Sequence, residues 1–203
     1  MTLYILFLIM AAVTVLSPGP GVVMTISNAL RFGLRGTIGG IFGIAFGALI
    51  VAAISATSLG VLLATSATAF TIAKFVGAAY LLYLGIRLWN APPFRFNTRP
   101  THQARFTRRF MEGLALQLTN PKAVFFFLSI FPQFISPAES YIPQFIRLVL
   151  TYSTLVVLIH SIYAVLAQRA RIWLTSERGG RVVNRTAATV FVFFSAVLAF
   201  AKR

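Results

Sequence analysis

Six stretches of this chain carry about 20 mainly apolar residues each, the length a helix needs to cross the hydrocarbon of a bilayer. They run over residues 3–25, 37–63, 67–89, 110–135, 145–167 and 187–201, the last being the shortest. Their apolarity is continuous, whereas barrel strands alternate over about 10 residues, so they read as helices. Two of the six are broken from within, at Ser17-Pro18-Gly19-Pro20 and at Thr119-Asn120-Pro121-Lys122. Proline cannot donate a backbone hydrogen bond and clashes with the preceding turn. Hydrocarbon tolerates freed backbone groups only where protein or a watery cavity covers them. Two such breaks predict a polar site between two halves of an all-α integral membrane protein.

Composition agrees with that class. The chain is 58% apolar and 10% charged, with 3 acidic side chains against 18 basic ones, and its mean hydropathy is +0.85. No water-soluble surface can be assembled from such a balance. A net charge of +15 would ordinarily raise nucleic acid as a partner, but no basic helix stands free of the apolar segments, so none is expected. The chain has no cysteine, which removes disulfides, thiol catalysis and cysteine-bound metal; no metal or cofactor is expected. No Lys or Arg precedes the first apolar stretch and no A-x-A-like site closes it, so it reads as a retained span rather than a signal peptide.

Arginines set the orientation, because cytoplasmic loops carry the excess of Lys and Arg. Arg31 and Arg35 follow the first span, Arg87 to Arg109 follow the third, and Arg169 to Arg185 follow the fifth. The opposite connections, 64–66 and 136–144, hold none. The amino terminus is then outside and the protein is multi-pass. Three spans per half is an odd number, so a repeated half must insert upside down, as in many secondary transporters. Leu16-Ser17-Pro18-Gly19-Pro20-Gly21-Val22 aligns without gaps with Leu118-Thr119-Asn120-Pro121-Lys122-Ala123-Val124. The expected organisation is a single membrane domain over 1–203: repeat one at 1–90, a cytoplasmic linker at 91–109, and repeat two at 110–203.

A helix interrupted in mid-membrane ends in unpaired carbonyls and restarts with unpaired N–H groups that favour anions. Ser17, Pro18, Gly19, Pro20, Thr119, Asn120, Pro121 and Lys122 are therefore the expected substrate-binding residues, for a ligand with a carboxylate and room for an ammonium. Lys122 is the charge most deeply committed to the membrane, and an intramembrane ionisable residue is a functional candidate by default. Each feature also has a plainer reading. The Pro-Gly-Pro cluster could be a packing kink, and Lys122 a carbonyl-bonded structural lysine. Lys74 reads as snorkelling outward, and His160, one turn from Tyr163, as a satisfied buried histidine. Glu112, beside Arg109, suits a helix start. Gly39, Gly43 and Gly47 share one helix face and predict close helix packing, which also makes a homodimer reasonable.

The sequence resembles the amino-acid exporters of the lysine-exporter and homoserine/threonine-resistance (LysE/RhtB) family over nearly its whole length. The resemblance rests on Ser17 to Pro20, the glycine-rich stretch from Gly36 to Gly47, and Gly-Ala-Ala-Tyr-Leu-Leu-Tyr-Leu-Gly from Gly77 to Gly85. It continues through Asn120-Pro121-Lys122, Pro132-Gln133-Phe134 and Asn184-Arg185. It implies efflux of amino acids or close derivatives across a bacterial cytoplasmic (inner) membrane, driven by the proton gradient, by a transporter rather than an enzyme. Two departures stand out. Relatives place an acidic or other ionisable residue after the glycine matching Gly47; here it is Ala48, and the chain has no Asp. Ala187 and Ala188 replace glycines usual in the final helix. Either coupling runs through Lys122, His160 or Glu112, or the protein is driven differently, or it has drifted from transport altogether. A channel and a non-transporting assembly protein are the rival readings. An intramembrane enzyme would need a nucleophile with a base or a metal set, which His102 and His160 do not make.

Overall fold

A computed structural model describes residues 2–56, 71, 75, 78–79, 82–83, 85–92, 105–136, 138–174 and 176–200. Among them the regular structure is helical and no strand occurs. The first helix, α1 (Thr2–Leu16), stops at the first predicted break. The chain restarts as α2 (Pro20–Ile54), with extended Gly19 as its cap and Pro20 in its first turn, where a missing N–H costs nothing.

A straight helix of 35 residues would run about 52 Å at 1.5 Å per residue, far more than a bilayer needs. Instead α2 folds back at Gly33, whose φ of 71° and ψ of −177° belong to a region essentially restricted to glycine. Gly21 of the first arm then lies against Ile44 of the second, and Gly40 against Met24 and Asn28. The arginine-bearing loop expected between residues 25 and 37 is thus reduced to a single hinge residue. Arg31 and Arg35 sit on helix at either side of it.

The second break divides α3 (Phe106–Leu118) from α4 (Pro121–Phe125). Helix begins at Phe106, inside the stretch expected to be linker. After α4 the aromatic run widens into a π-helical turn (Phe126–Ile130) and tightens into a 3-10 turn (Phe131–Phe134), so the predicted span 110–135 is helix in three pitches. Next come α5 (Tyr141–Arg169), the short α6 (Arg171–Leu174) and α7 (Glu177–Phe200). α7 starts ten residues before the apolar stretch predicted at 187, in a charged turn where Arg181 and Glu177 pair at 3.8 Å. The expected lysine at position 74, His102, and most of the third span lie outside the described residues.

Contacts fix how the helices run. α1 and α5 are parallel: Tyr4 Oη lies 2.9 Å from Thr151 Oγ1, and Tyr163 Oη donates to the Leu16 carbonyl. The second arm of α2 and α3 are also parallel, with Gly39 against Phe106 and Arg109, Gly43 against Phe110 and Leu114, and Gly47 against Gln117. α7 runs antiparallel to the described residues between 78 and 92: Ser195 Oγ donates to the Ala78 carbonyl at 2.8 Å and Asn184 Nδ2 to that of Pro92 at 2.7 Å. The glycine face is filled by α3 of the same chain, which removes it as an argument for a homodimer.

Large apolar side chains such as Ile5, Ile9, Phe42, Phe46, Ile146, Leu158 and Ile162 are exposed, as a lipid-facing surface requires. Inside, Phe7, Phe126, Phe127, Phe131, Leu148 and Val156 form the main core. Phe126 lies tilted against Tyr152 and Phe127 meets it edge-on, with ring centroids 4.8 and 4.9 Å apart, and Phe7 meets Phe131 edge-on at 5.9 Å. This aromatic block lies on the side of the breaks that faces away from the arginine-rich ends.

Candidate functional site at the helix crossing

The two breaks lie together. Pro18 and Gly19 end α1; its Thr14 carbonyl takes the Ser17 hydroxyl at 2.7 Å and its Leu16 carbonyl takes Tyr163, and a further donor comes from the other break. Lys122 Nζ donates to the carbonyl oxygens of Thr14 and Ser17, both at 2.9 Å, and to Ser17 Oγ at 3.0 Å. An ammonium has three N–H donors, and all three are used. Lys122 is only 9% exposed. The positive group therefore caps the negative end of α1, the favourable sense for a helix dipole.

Local chemistry explains why the second break can deliver a lysine there. Asn120 caps α4 by accepting from the Lys122 N–H at 3.2 Å through Oδ1, and its Nδ2 donates to Gln117 Oε1 at 3.2 Å. Pro121 occupies the first turn of α4, as Pro20 does in α2. Thr119 turns away: its hydroxyl returns to the carbonyl of Ala115 at 2.9 Å and is exposed. Gly19 matters for space. A Cβ built on it would lie 3.2 Å from Lys122 Nζ.

His160 joins the same neighbourhood. Its Nδ1 lies 2.7 Å from Thr25 Oγ1, and its ring packs against Gly21. Tyr163 approaches it edge-on, with centroids 6.5 Å apart. His160, Lys122, Tyr152, Gln117 and Asn120 share a cavity of about 20 Å³, room for about one water molecule. Glu112 is elsewhere. It pairs with Arg109 Nη1 at 2.6 Å and Arg108 Nε at 3.2 Å on the arginine-rich end, where Arg109 also lies 4.5 Å over the Phe32 ring.

Thr14, Thr25, Gln117 and Tyr152 were not singled out by sequence. Thr14 alone had a local signal, lying one turn before Ser17 on α1. The others reach the crossing from helices whose packing no spacing rule predicts.

A second cavity of about 360 Å³ lies beyond the Gly19–Pro20 main chain, with Arg87, Asn184 and Phe191 in its walls. Arg185, beside Asn184, sits 5.6 Å over the Trp89 ring on the same seam.

Comparison with known proteins places this apolar chain among membrane proteins. The homoserine/homoserine lactone efflux protein of Salmonella typhimurium is 33% identical over 197 residues, covering 97% of this chain and 95% of that protein. An uncharacterized membrane protein of Vibrio cholerae is 33% identical over 199 residues, covering 98% of this chain and 97% of its own length. No solved structure matches the chain. The sequence pattern described as LysE type translocator matches residues 12–202, so this membrane-embedded chain belongs to the LysE type translocator family.

Proposed function

We propose that this protein exports small amino acids or close derivatives across a bacterial cytoplasmic membrane by alternating access, coupled to proton movement. The observation that carries the reading is the tie from Lys122 to Thr14 and Ser17, which makes one half of the chain the cap of the other half's broken helix. A bond of that kind is a natural two-state element: the same ammonium can hold carbonyls in one state and a substrate carboxylate in another. Serving both at once is excluded, because its three donors are already spent.

The reading includes six spans in two inverted repeats, residues 1–90 and 110–203, with the amino terminus outside. Exchanging the first span for the fourth and the second for the fifth turns the α1–α5 pair into the α3–α2 pair. Both are parallel, which supports the symmetry. Seventeen to twenty and 119–122 then occupy matching places, and the aromatic block around Tyr152 closes the outer side. The efflux function printed for the Salmonella relative supports the transported class. For coupling, His160 is favoured over Glu112, because it shares the small polar cavity with Lys122 while Glu112 is held by two arginines at the rim.

Purified protein in liposomes, loaded with unlabelled L-homoserine, should accumulate labelled L-homoserine by counterflow that saturates. Conductance without counterflow would replace the carrier with a channel. Absence of any movement of homoserine, threonine or their lactones would sink the efflux reading.

A further inference from the structure

The crossing itself has no room for cargo in this state: its cavity holds about one water, and Lys122 has no donor to offer. The space for cargo lies next door. The cavity of about 360 Å³ falls in the range of about 300–1,000 Å³ typical of small-molecule sites. Its inner wall is the Gly19–Pro20 main chain. Because a Cβ on Gly19 would come within 3.2 Å of Lys122 Nζ, a single glycine separates that cavity from the ammonium.

The walls define the ligand. Val183 and Phe191 are apolar, Asn184 is an amide whose Nδ2 is tied to the Pro92 carbonyl, and among the described residues of the lining Arg87 is the cation. No acidic side chain is among the described residues of the lining. A carboxylate is met by Arg87, whereas a second positive charge on a ligand's side chain would meet no counter-ion. Arg87 and Asn184 lie on the arginine-rich side, opposite the aromatic block.

We propose that this cavity is a loading site for amino acids with uncharged side chains, holding the carboxylate toward Arg87 on the near side of Gly19 before Lys122 changes partners. The proposal rests on the efflux reading and adds to it a location, an anchoring residue and a selection against dibasic amino acids.

The chain has no cysteine, so a single introduced thiol reports on the site alone. Val183→Cys in the full-length protein would be labelled with N-ethylmaleimide in the presence of L-homoserine, L-homoserine lactone or L-lysine at equal concentration. Homoserine is expected to slow labelling at least threefold, the lactone, whose carboxyl is closed, less, and lysine not at all. Arg87→Gln should abolish the protection and Arg87→Lys restore part of it. Ala91→Cys, on the facing wall, gives the same readout if Val183→Cys does not fold. Protection equal for lysine and homoserine, or unchanged in Arg87→Gln, overturns the proposal. Counterflow of homoserine without any protection overturns the loading site and leaves the efflux reading standing; loss of both removes the two together.

Discussion

Lys122 Nζ lies 2.9 Å from the carbonyl oxygen of Ser17, joining residues more than a hundred positions apart at the one depth where each helix is interrupted. The bond stabilises two things at once: a buried ammonium, and the carbonyl end of α1 that proline and glycine have left unpaired. Lys122→Met keeps an unbranched side chain one atom shorter and removes every donor. The Ser17 carbonyl then loses its partner, at about 1–3 kcal/mol for a buried group left unsatisfied, while the Thr14 carbonyl keeps the Ser17 hydroxyl at 2.7 Å. A lower unfolding temperature in detergent, together with homoserine counterflow reduced at least tenfold, is the expected outcome. Wild-type counterflow in Lys122→Met would take Lys122 out of the transport cycle.

Gly19→Ala separates the lysine's space from backbone strain. Gly19 has φ −165° and ψ −175°, extended values that any residue adopts, so alanine meets no conformational penalty there. What it meets is Lys122 Nζ at 3.2 Å, which must shift by a few tenths of an ångström. Stability should change by less than about 1 kcal/mol, within the usual range for a mild substitution, while counterflow falls several-fold. Equal losses in stability and counterflow would mean that Gly19 is needed only for packing.

The breaks, and the fact that they matter, were legible in the sequence because proline, glycine and a lysine have no cheap reason to sit in hydrocarbon. Glycine spacing at 39, 43 and 47 likewise announced a packing face. Its partner was not legible: periodicity gives the face of a helix but not the helix it meets, and α3 turned out to fill it. The hinge was misjudged for a similar reason. Arg31 and Arg35 marked a loop by charge, yet one glycine with positive φ suffices to reverse the chain, so both arginines stay helical. The use of Lys122 was legible only as a pair of alternatives, carbonyl cap or carboxylate ligand. The choice depends on where α1 ends in space.

Gly43→Ala should be the most damaging of the glycine-face substitutions. A Cβ there collides with the Phe110 carbonyl oxygen and reaches 2.9 Å from the Leu114 nitrogen, both backbone atoms of α3 that cannot rotate away. Overpacking of this kind costs about 1–3 kcal/mol. Gly47→Ala meets Gln117 Cβ at 2.8 Å and Cγ at 3.0 Å, with the nearest backbone atom, the Leu114 oxygen, at 3.3 Å, a less severe overlap that should cost less. Melting of the two variants in the same detergent gives the comparison; the reverse order would contradict the parallel packing of α2 on α3.

Gly33→Ala tests the hinge. The Cβ has space, with Gln168 Nε2 the nearest atom at 3.4 Å, so the penalty is conformational alone. Glycine-only backbone regions cost other residues about 1–3 kcal/mol. Gly33→Asn is expected to fare no better, because asparagine tolerates the left-handed helical region but not a ψ near 180°. Rescue by asparagine would show that the hinge relaxes to another turn.

Thr25→Val isolates the part His160 plays. Thr25 is fully buried, and its hydroxyl 2.7 Å from Nδ1 fixes the imidazole beside the small polar cavity that also holds Lys122. Valine matches its shape but leaves the buried Nδ1 of His160 without this partner, so the fold should lose about 1–3 kcal/mol. If His160 carries the coupled proton, a ring released from Thr25 still permits exchange of labelled for unlabelled homoserine, since exchange moves no net proton. Uphill efflux against a homoserine gradient, driven by an imposed proton gradient, should fall at least fivefold. Both can be measured in one liposome preparation with a labelled substrate and a pH-sensitive dye. Unimpaired uphill efflux in Thr25→Val and in His160→Gln would exclude His160 from coupling; loss of exchange as well would assign the pair to holding the crossing together.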